Sequence, residues 1–242
     1  MNFQKGKNYV NIKQTSSANA SFFPEIPRKN ALEIASTTDP IEWNLSLFDE
    51  NILKSFDGIL IPGGFGERGF EGKLDAVEYA IQNNVPLFGI CLGMQMMVIE
   101  FARNVLGLEN ANSREMDSST PYNVIDLMEE QKSITQMGGT MRLGAYTCEL
   151  IEGSKAYEAY KKSYIEERHR HRYEFSSPYR RLFEQAGMLC TGINPDSGLV
   201  EIVEIPACRW YVGVQFHPEY SGTVLHPNPL FIAFIKNINS KQ

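Results

Sequence analysis

The sequence predicts an α/β domain built on a mixed, mostly parallel central sheet with helices on both faces. Three observations point there. Short apolar runs end at glycine or proline, as buried parallel strands do. Segments with helical spacing follow them. The order strand–helix–strand–helix at this spacing makes parallel βαβ units. Asp57 to Pro62 is the first such strand, closing in Pro62-Gly63-Gly64. Lys73 to Asn83 is a helix, with Leu74, Val77, Ala80 and Ile81 on one face. Val85 to Ile90 is the second buried strand and Leu92 to Leu106 the second helix. Further on, Gly138 to Gly144 suggests a turn and a strand. Leu199 to Ile205 and Trp210 to Phe216 read as a hairpin around Pro206, and Leu230 to Ile238 is a closing helix.

The N-terminal part follows different rules. Asn8 to Lys13 suits a short strand, Gln14 to Asn30 is rich in loop-forming residues, and Ile41 to Ser46 alternates as a strand would. Residues 1–40 therefore read as an atypical, poorly ordered segment ahead of a domain over 41–242.

Composition narrows the function. Of 242 residues, 43% are hydrophobic and 21% charged, enough apolar material for a core. The formal net charge of −6 argues against nucleic-acid or anionic-membrane partners. Residues 1–20 lack the apolar stretch of a secretory signal. The most apolar run, Leu87 to Ile99, is too short to span a bilayer. Cys91, Cys148, Cys190 and Cys208 are widely spaced, which suits free thiols in a reducing compartment. The expectation is a soluble cytoplasmic protein.

Gly89-Ile90-Cys91-Leu92-Gly93 stands where a buried strand turns into a helix. This is G-x-C-x-G, the thiol form of a nucleophile elbow, whose tight turn needs small residues on either side. The helix N-terminus is expected to favour the thiolate and lower the Cys91 pKa, and the Leu92 N–H to face an oxyanion. A cysteine nucleophile needs a base. Phe216-His217-Pro218-Glu219 offers one, with a carboxylate two residues on to fix the tautomer.

These residues resemble class I glutamine amidotransferases of the triad type. The fuller set of motifs is similar to the glutaminase domains of CTP synthases: Pro62 to Gly66, Gly89 to Gln95, Glu109 to Ser113, Gly138 to Gly144, Glu167 to Glu174 and Gln215 to Tyr220, in that order. The resemblance spans residues 41 to 238 and implies a flavodoxin-like fold. It implies Cys91 as nucleophile, His217 as base and Glu219 as its orienter. Gly64 and Leu92 would supply the oxyanion hole, Gln95, Glu115 and Arg172 would hold the glutamine head group, and Tyr173 would line the pocket. The chemistry agrees, because a bound amino acid presents an ammonium for Glu115 and a carboxylate for Arg172.

The same resemblance implies L-glutamine as substrate and a synthetase domain, in cis or in trans, as the receiver of ammonia. It leaves self-association into a homo-oligomer open. No cofactor is expected in this domain. ATP and Mg would belong to the synthetase part, for which the chain shows no P-loop: Glu67 stands where the first glycine of a motif ending in Gly72-Lys73 should be. The family's usual first strand and helix have no match in residues 1–40; if that unit is absent, the sheet has lost a central element. Gly64 to Gly69 spells G-x-G-x-x-G, but no acidic residue ends the next strand to hold a ribose. Arg168 to Arg172 alternates Arg and His and reads first as a solvated or salt-bridged segment, with a metal site a distant alternative. Two other readings stay open: a catalytically inactive regulatory or binding remnant, and a γ-glutamyl thiol hydrolase of the same fold.

Overall fold

In the computed structural model, the described residues are 11–14, 31–35, 53–54, 56–66, 69–127 and 141–240. The strands are β1 (Asn11–Gln14), β2 (Ala31–Ala35), β3 (Gly58–Ile61), β4 (Leu87–Ile90), β5 (Ala111–Ser113), β6 (Tyr122–Leu127), β7 (Arg142–Leu150), β8 (Tyr164–His171), β9 (Tyr173–Phe175), β10 (Leu189–Ile193), β11 (Val200–Glu204) and β12 (Tyr211–Val214). The helices are α1 (Phe70–Gln82), α2 (Leu92–Asn104), α3 (Lys155–Tyr160), α4 (Arg180–Ala186) and α5 (Pro229–Asn239). Nine strands form one sheet in the order β1-β2-β3-β4-β12-β11-β10-β7-β8, and β5-β6-β9 form a second.

The large sheet is mixed, as expected. Its parallel pairing is confined to β2–β3, β3–β4 and β4–β12. From β12 outward through β11, β10, β7 and β8, every pairing is antiparallel. This antiparallel wing is longer than the apolar runs suggest, because its strands carry Arg, Glu and His on alternate positions. Strand β2, which the sequence reading did not anticipate, pairs in parallel with β3 and extends the sheet on its other side. The strand read over Ile41 to Ser46, and Gly138 to Thr140 of the expected turn, lie outside the described residues.

Alternation along the strands divides the core in two. Ile59, Ile61, Leu87, Val203 and Tyr211 face α1 and α2. Phe88, Ile90, Ile202, Val212 and Val214 face α5, through Leu230, Phe234 and Ile238. Helix α5 begins as its sequence dictates: the Asn228 side chain accepts from the Leu230 N–H, and Pro229 fills a first-turn position where its missing N–H is harmless.

Close packing beneath the β4–α2 junction depends on glycine. A methyl group at Gly93 would lie 2.1 Å from the Ile61 carbonyl oxygen. Gly89 and Gly213 are register partners on β4 and β12. The Met97 sulfur occupies the slot they leave, 2.4 Å and 3.1 Å from where their Cβ atoms would be.

A buried polar cluster joins the two sheets. Arg142 on β7 lies 2.7 Å from Glu201 on β11 and 3.7 Å from Glu174 on β9. His169 and His171 on β8 meet ring nitrogen to ring nitrogen at 2.8 Å. His169 faces Glu201 at 3.5 Å, and His171 faces Glu174 at 3.8 Å. Burial holds both imidazoles well below their usual range, at about 2 and about 3. Burial raises Glu174 to about 8 and Glu201 to about 7, against the opposing pull of Arg142. The Arg-His run is therefore not solvated on both faces: Arg168 and Arg170 point outward, His169 and His171 inward.

Two outcomes follow from this packing. Gly93→Ala drives a carbon into a backbone carbonyl that cannot step aside, so chemical denaturation should show a loss of about 3 kcal/mol or an insoluble product. Arg142→Met removes the one guanidinium in the buried cluster and strands two carboxyls, so the same measurement should show a loss of about 3–5 kcal/mol.

Candidate active site

Strand β4 ends at Ile90 and α2 starts at Leu92, leaving Cys91 alone in the turn. Its backbone sits at φ 51° and ψ −105°, a conformation costly for a residue with a Cβ. It is held there because the Cys91 N–H donates to the Val214 carbonyl at 2.7 Å and the Cys91 carbonyl accepts from Gln95 N–H at 3.2 Å. Glycines at 89 and 93 let α2 close onto β3 and β4 beneath it.

The thiol is neutral in this arrangement. Burial pushes it from 9.0 up to about 12, against a lowering by the Leu92 N–H; the carboxylates of Glu219 and Glu115 push it further up, and Gln215 opposes them. The sequence expectation of a lowered pKa is thus corrected. A helix N-terminus contributes about 0.3–1 kcal/mol, up to about 2 in partly buried geometry. The rise from 9.0 to about 12 corresponds to about 4 kcal/mol, so desolvation wins.

His217 follows β12 and enters a short 3-10 turn, Pro218–Tyr220. Its Nδ1 is 2.6 Å from Glu219 Oε1, and Tyr220 stacks on its ring at 4.8 Å. Its Nε2 is buried without a hydrogen-bond partner among the described residues. The Glu219 contact assigns the proton to Nδ1 and leaves Nε2 as an acceptor. Gly63 separates this imidazole from the thiol: a Cβ there would lie 2.8 Å from His217 Cε1 and 3.6 Å from Cys91 Cβ. Only a residue without a side chain leaves the space between His217 and Cys91 open.

A cavity of about 180 Å³ opens in front of Cys91. Gly64, Gln95, Glu115, Arg172 and Tyr173 line it together with Phe65, Met141, Arg170 and His171. Six of the nine residues singled out in the sequence thus line this cavity; of the others, Leu92 follows Cys91 at the start of α2, and His217, with Glu219 on its Nδ1, lies across Gly63 from Cys91. Glu115 already holds the Gly66 N–H at 3.3 Å, which ties the glycine loop to the cavity wall. Burial raises its carboxyl, and Arg172 pulls it back. The Gln95 amide donates to the Tyr173 carbonyl at 2.9 Å.

Sequence reasoning missed Gln215. Its amide nitrogen is 3.8 Å from the Cys91 sulfur and its oxygen 3.4 Å from the Gln95 amide. A fully buried glutamine at the end of an apolar strand, two residues before the histidine, was the available signal. Among the described residues no group of three His, Cys, Asp or Glu side chains is placed to hold a metal. Of the G-x-G-x-x-G stretch, Gly64 lines the cavity, and Glu67 and Arg68 lie outside the described residues. No described helix is long and apolar enough to cross a membrane.

Comparison with known proteins agrees with this geometry. The family model for class I glutamine amidotransferases matches residues 28–237. CTP synthase of Bacteroides fragilis is 67% identical over 180 residues, 74% of this chain and 34% of that protein. CTP synthase of Caldanaerobacter subterraneus is 56% identical over 187 residues, 77% of this chain and 35% of that protein. The chain thus spans about a third of the length of the curated relatives it matches. Among solved structures, the glutaminase domain of Trypanosoma brucei CTPS with bound acivicin superposes with a TM-score of 0.74 at 38% identity, over 79% of this chain and 74% of that one. This chain belongs to the class I glutamine amidotransferase family, and within it is similar to the glutaminase domain of CTP synthases.

Proposed function

We propose that this chain hydrolyses the side-chain amide of glutamine and passes the ammonia to a synthetase that aminates UTP to CTP. The observation that carries the reading is the unpartnered Nε2 of His217, grouped with the neutral Cys91 thiol at a cavity that also presents Glu115 and Arg172. That cavity matches an amino acid in charge: Glu115 for the ammonium, Arg172 for the carboxylate, with Gln95 and Tyr173 beside them. The four cysteines are free thiols, which fits the reducing cytoplasm.

The chemistry runs in two halves. His217 Nε2 takes the Cys91 proton as the sulfur attacks the amide carbon. The carbonyl oxygen becomes an oxyanion, stabilised by the N–H groups of Gly64 and Leu92. When it collapses, His217 returns the proton to the amide nitrogen, the C–N bond breaks, and ammonia leaves a γ-glutamyl thioester on Cys91. In the second half His217 takes a proton from water. Hydroxide adds to the thioester, the C–S bond breaks, and glutamate departs as the thiol is reprotonated. Glu219 holds the imidazole in the required tautomer and stabilises its charged form throughout. Because the resting thiol is neutral, proton removal is coupled to attack and the site stays unreactive until a carbonyl is in place.

The reading is tested by incubating the chain with acivicin and mapping adducts by mass spectrometry. A single adduct on Cys91, suppressed by excess glutamine and absent in Cys91→Ala, is the expected result. A folded sample with no adduct, or glutaminase turnover surviving in Cys91→Ala, would overturn it. The high thiol pKa gives a second outcome. Alkylation of Cys91 by iodoacetamide should be slow at pH 7 and climb about tenfold per pH unit to pH 10, because the thiolate fraction keeps rising below about 12. A plateau starting near neutrality would mean that the thiolate forms at rest.

A further inference from the structure

Glu167 plays no part in the reaction above, yet it is 3% exposed on β8. Burying a carboxylate costs several kcal/mol unless its lone pairs are filled. Here they are. The Tyr160 hydroxyl and the Asn228 amide each donate to Oε1 at 2.7 Å, and the Ser221 hydroxyl donates to Oε2 at 2.7 Å. The donors come from three separate places: the end of α3, the residue after the 3-10 turn, and the cap of α5.

The Ser221 link is the one that bears on catalysis. Ser221 directly follows the turn Pro218–Tyr220, and the Asn228 amide also reaches its hydroxyl at 3.0 Å. At the other end of that turn, the His217 N–H donates to the carbonyl of Arg168 at 2.8 Å. Residues 167 and 168 are neighbours on β8, so one strand grips the turn at both ends, by backbone at its entry and by side chain at its exit. On its outer side the turn faces solvent: the Glu219 side chain is 40% exposed and Tyr220 is 48% exposed. The turn gripped in this way carries the 2.6 Å contact between His217 and Glu219.

We propose that Glu167, acting through Ser221, is a positioning residue that holds the His217–Glu219 turn so that the imidazole faces Cys91. The proposal rests on the glutaminase reading of the site. The glutamine contacts lie on other segments, at Glu115 and Arg172, so loss of the grip slows chemistry without weakening binding. Tyr160 fills the other oxygen of the same carboxylate and reaches Ser221 only through Asn228, which makes it the control.

The test compares Ser221→Ala, Ser221→Thr and Tyr160→Phe in this chain. The maximal rate and half-saturating concentration of acivicin inactivation are measured alongside Tm. Displacing a proton-transfer group by a fraction of an ångström should cost Ser221→Ala about tenfold or more in maximal rate. Its half-saturating concentration should stay within about twofold. Ser221→Thr keeps the hydroxyl and should recover most of the rate. Tyr160→Phe should lower Tm while its rate stays within about twofold of the parent. An unchanged rate in Ser221→Ala, or an equal loss in Tyr160→Phe, makes Glu167 a purely structural residue and overturns the proposal. Failure of the parent chain itself to form the Cys91 adduct is a different result: it sinks the glutaminase reading, whatever the variants do.

Discussion

The constraint on which the rest of the structure depends is the turn at Cys91. A residue with a side chain at φ 51° and ψ −105° persists only where its surroundings leave no alternative. Here β12 holds its N–H, α2 begins on its carbonyl, and glycines at 89 and 93 admit backbone where a methyl group would collide. The apolar strands on either side fill the core, but they also form the vice that keeps the sulfur in one place.

Around that point the two halves of the sheet divide the labour. The parallel strands β3 and β4 deliver the glycine loop and Cys91. Strand β12, parallel to β4 and antiparallel to β11, leads to His217 just beyond its end. Arg172, which joins β8 to β9, and Tyr173, which opens β9, reach the cavity together. Arg142, His169, His171, Glu174 and Glu201 lock β7, β8, β9 and β11 together behind that segment. Arg172 and Tyr173 are therefore carried by different strands from Cys91 and His217.

Strands β3 and β4 and the motifs that flank Cys91 and His217 were legible in the sequence for a local reason. Asp57 to Pro62 and Val85 to Ile90 are continuous apolar runs, and the elbow and the His-Pro-Glu turn each lie within a few residues. The antiparallel wing was not legible. In β8 the inward positions are Ile165, Glu167, His169 and His171, so hydropathy reads as solvated a face that is buried. Glu167 is tolerated inside because Ser221 and Asn228, far along the chain, fill its lone pairs, and His169 faces the distant Glu201 at 3.5 Å, which no local window reveals. The same blindness explains Gln215 and the Cys91 pKa. Both depend on how much chain closes over the elbow, a quantity set by the assembled sheet.

The slot that holds Met97 has a consequence for how this sequence can vary. Gly89 and Gly213 face each other across β4 and β12, and one sulfur fills the space both leave empty. The three residues share a single volume although they lie far apart in the chain. Gly89 cannot be enlarged whatever stands at 97, because its Cβ would also lie 2.7 Å from the Gly93 backbone. Enlarging Gly213 needs Met97 to give way, and shrinking Met97 opens a void under Cys91. Positions 97 and 213 are therefore coupled, and a family alignment should show them changing together over an unchanged glycine at 89.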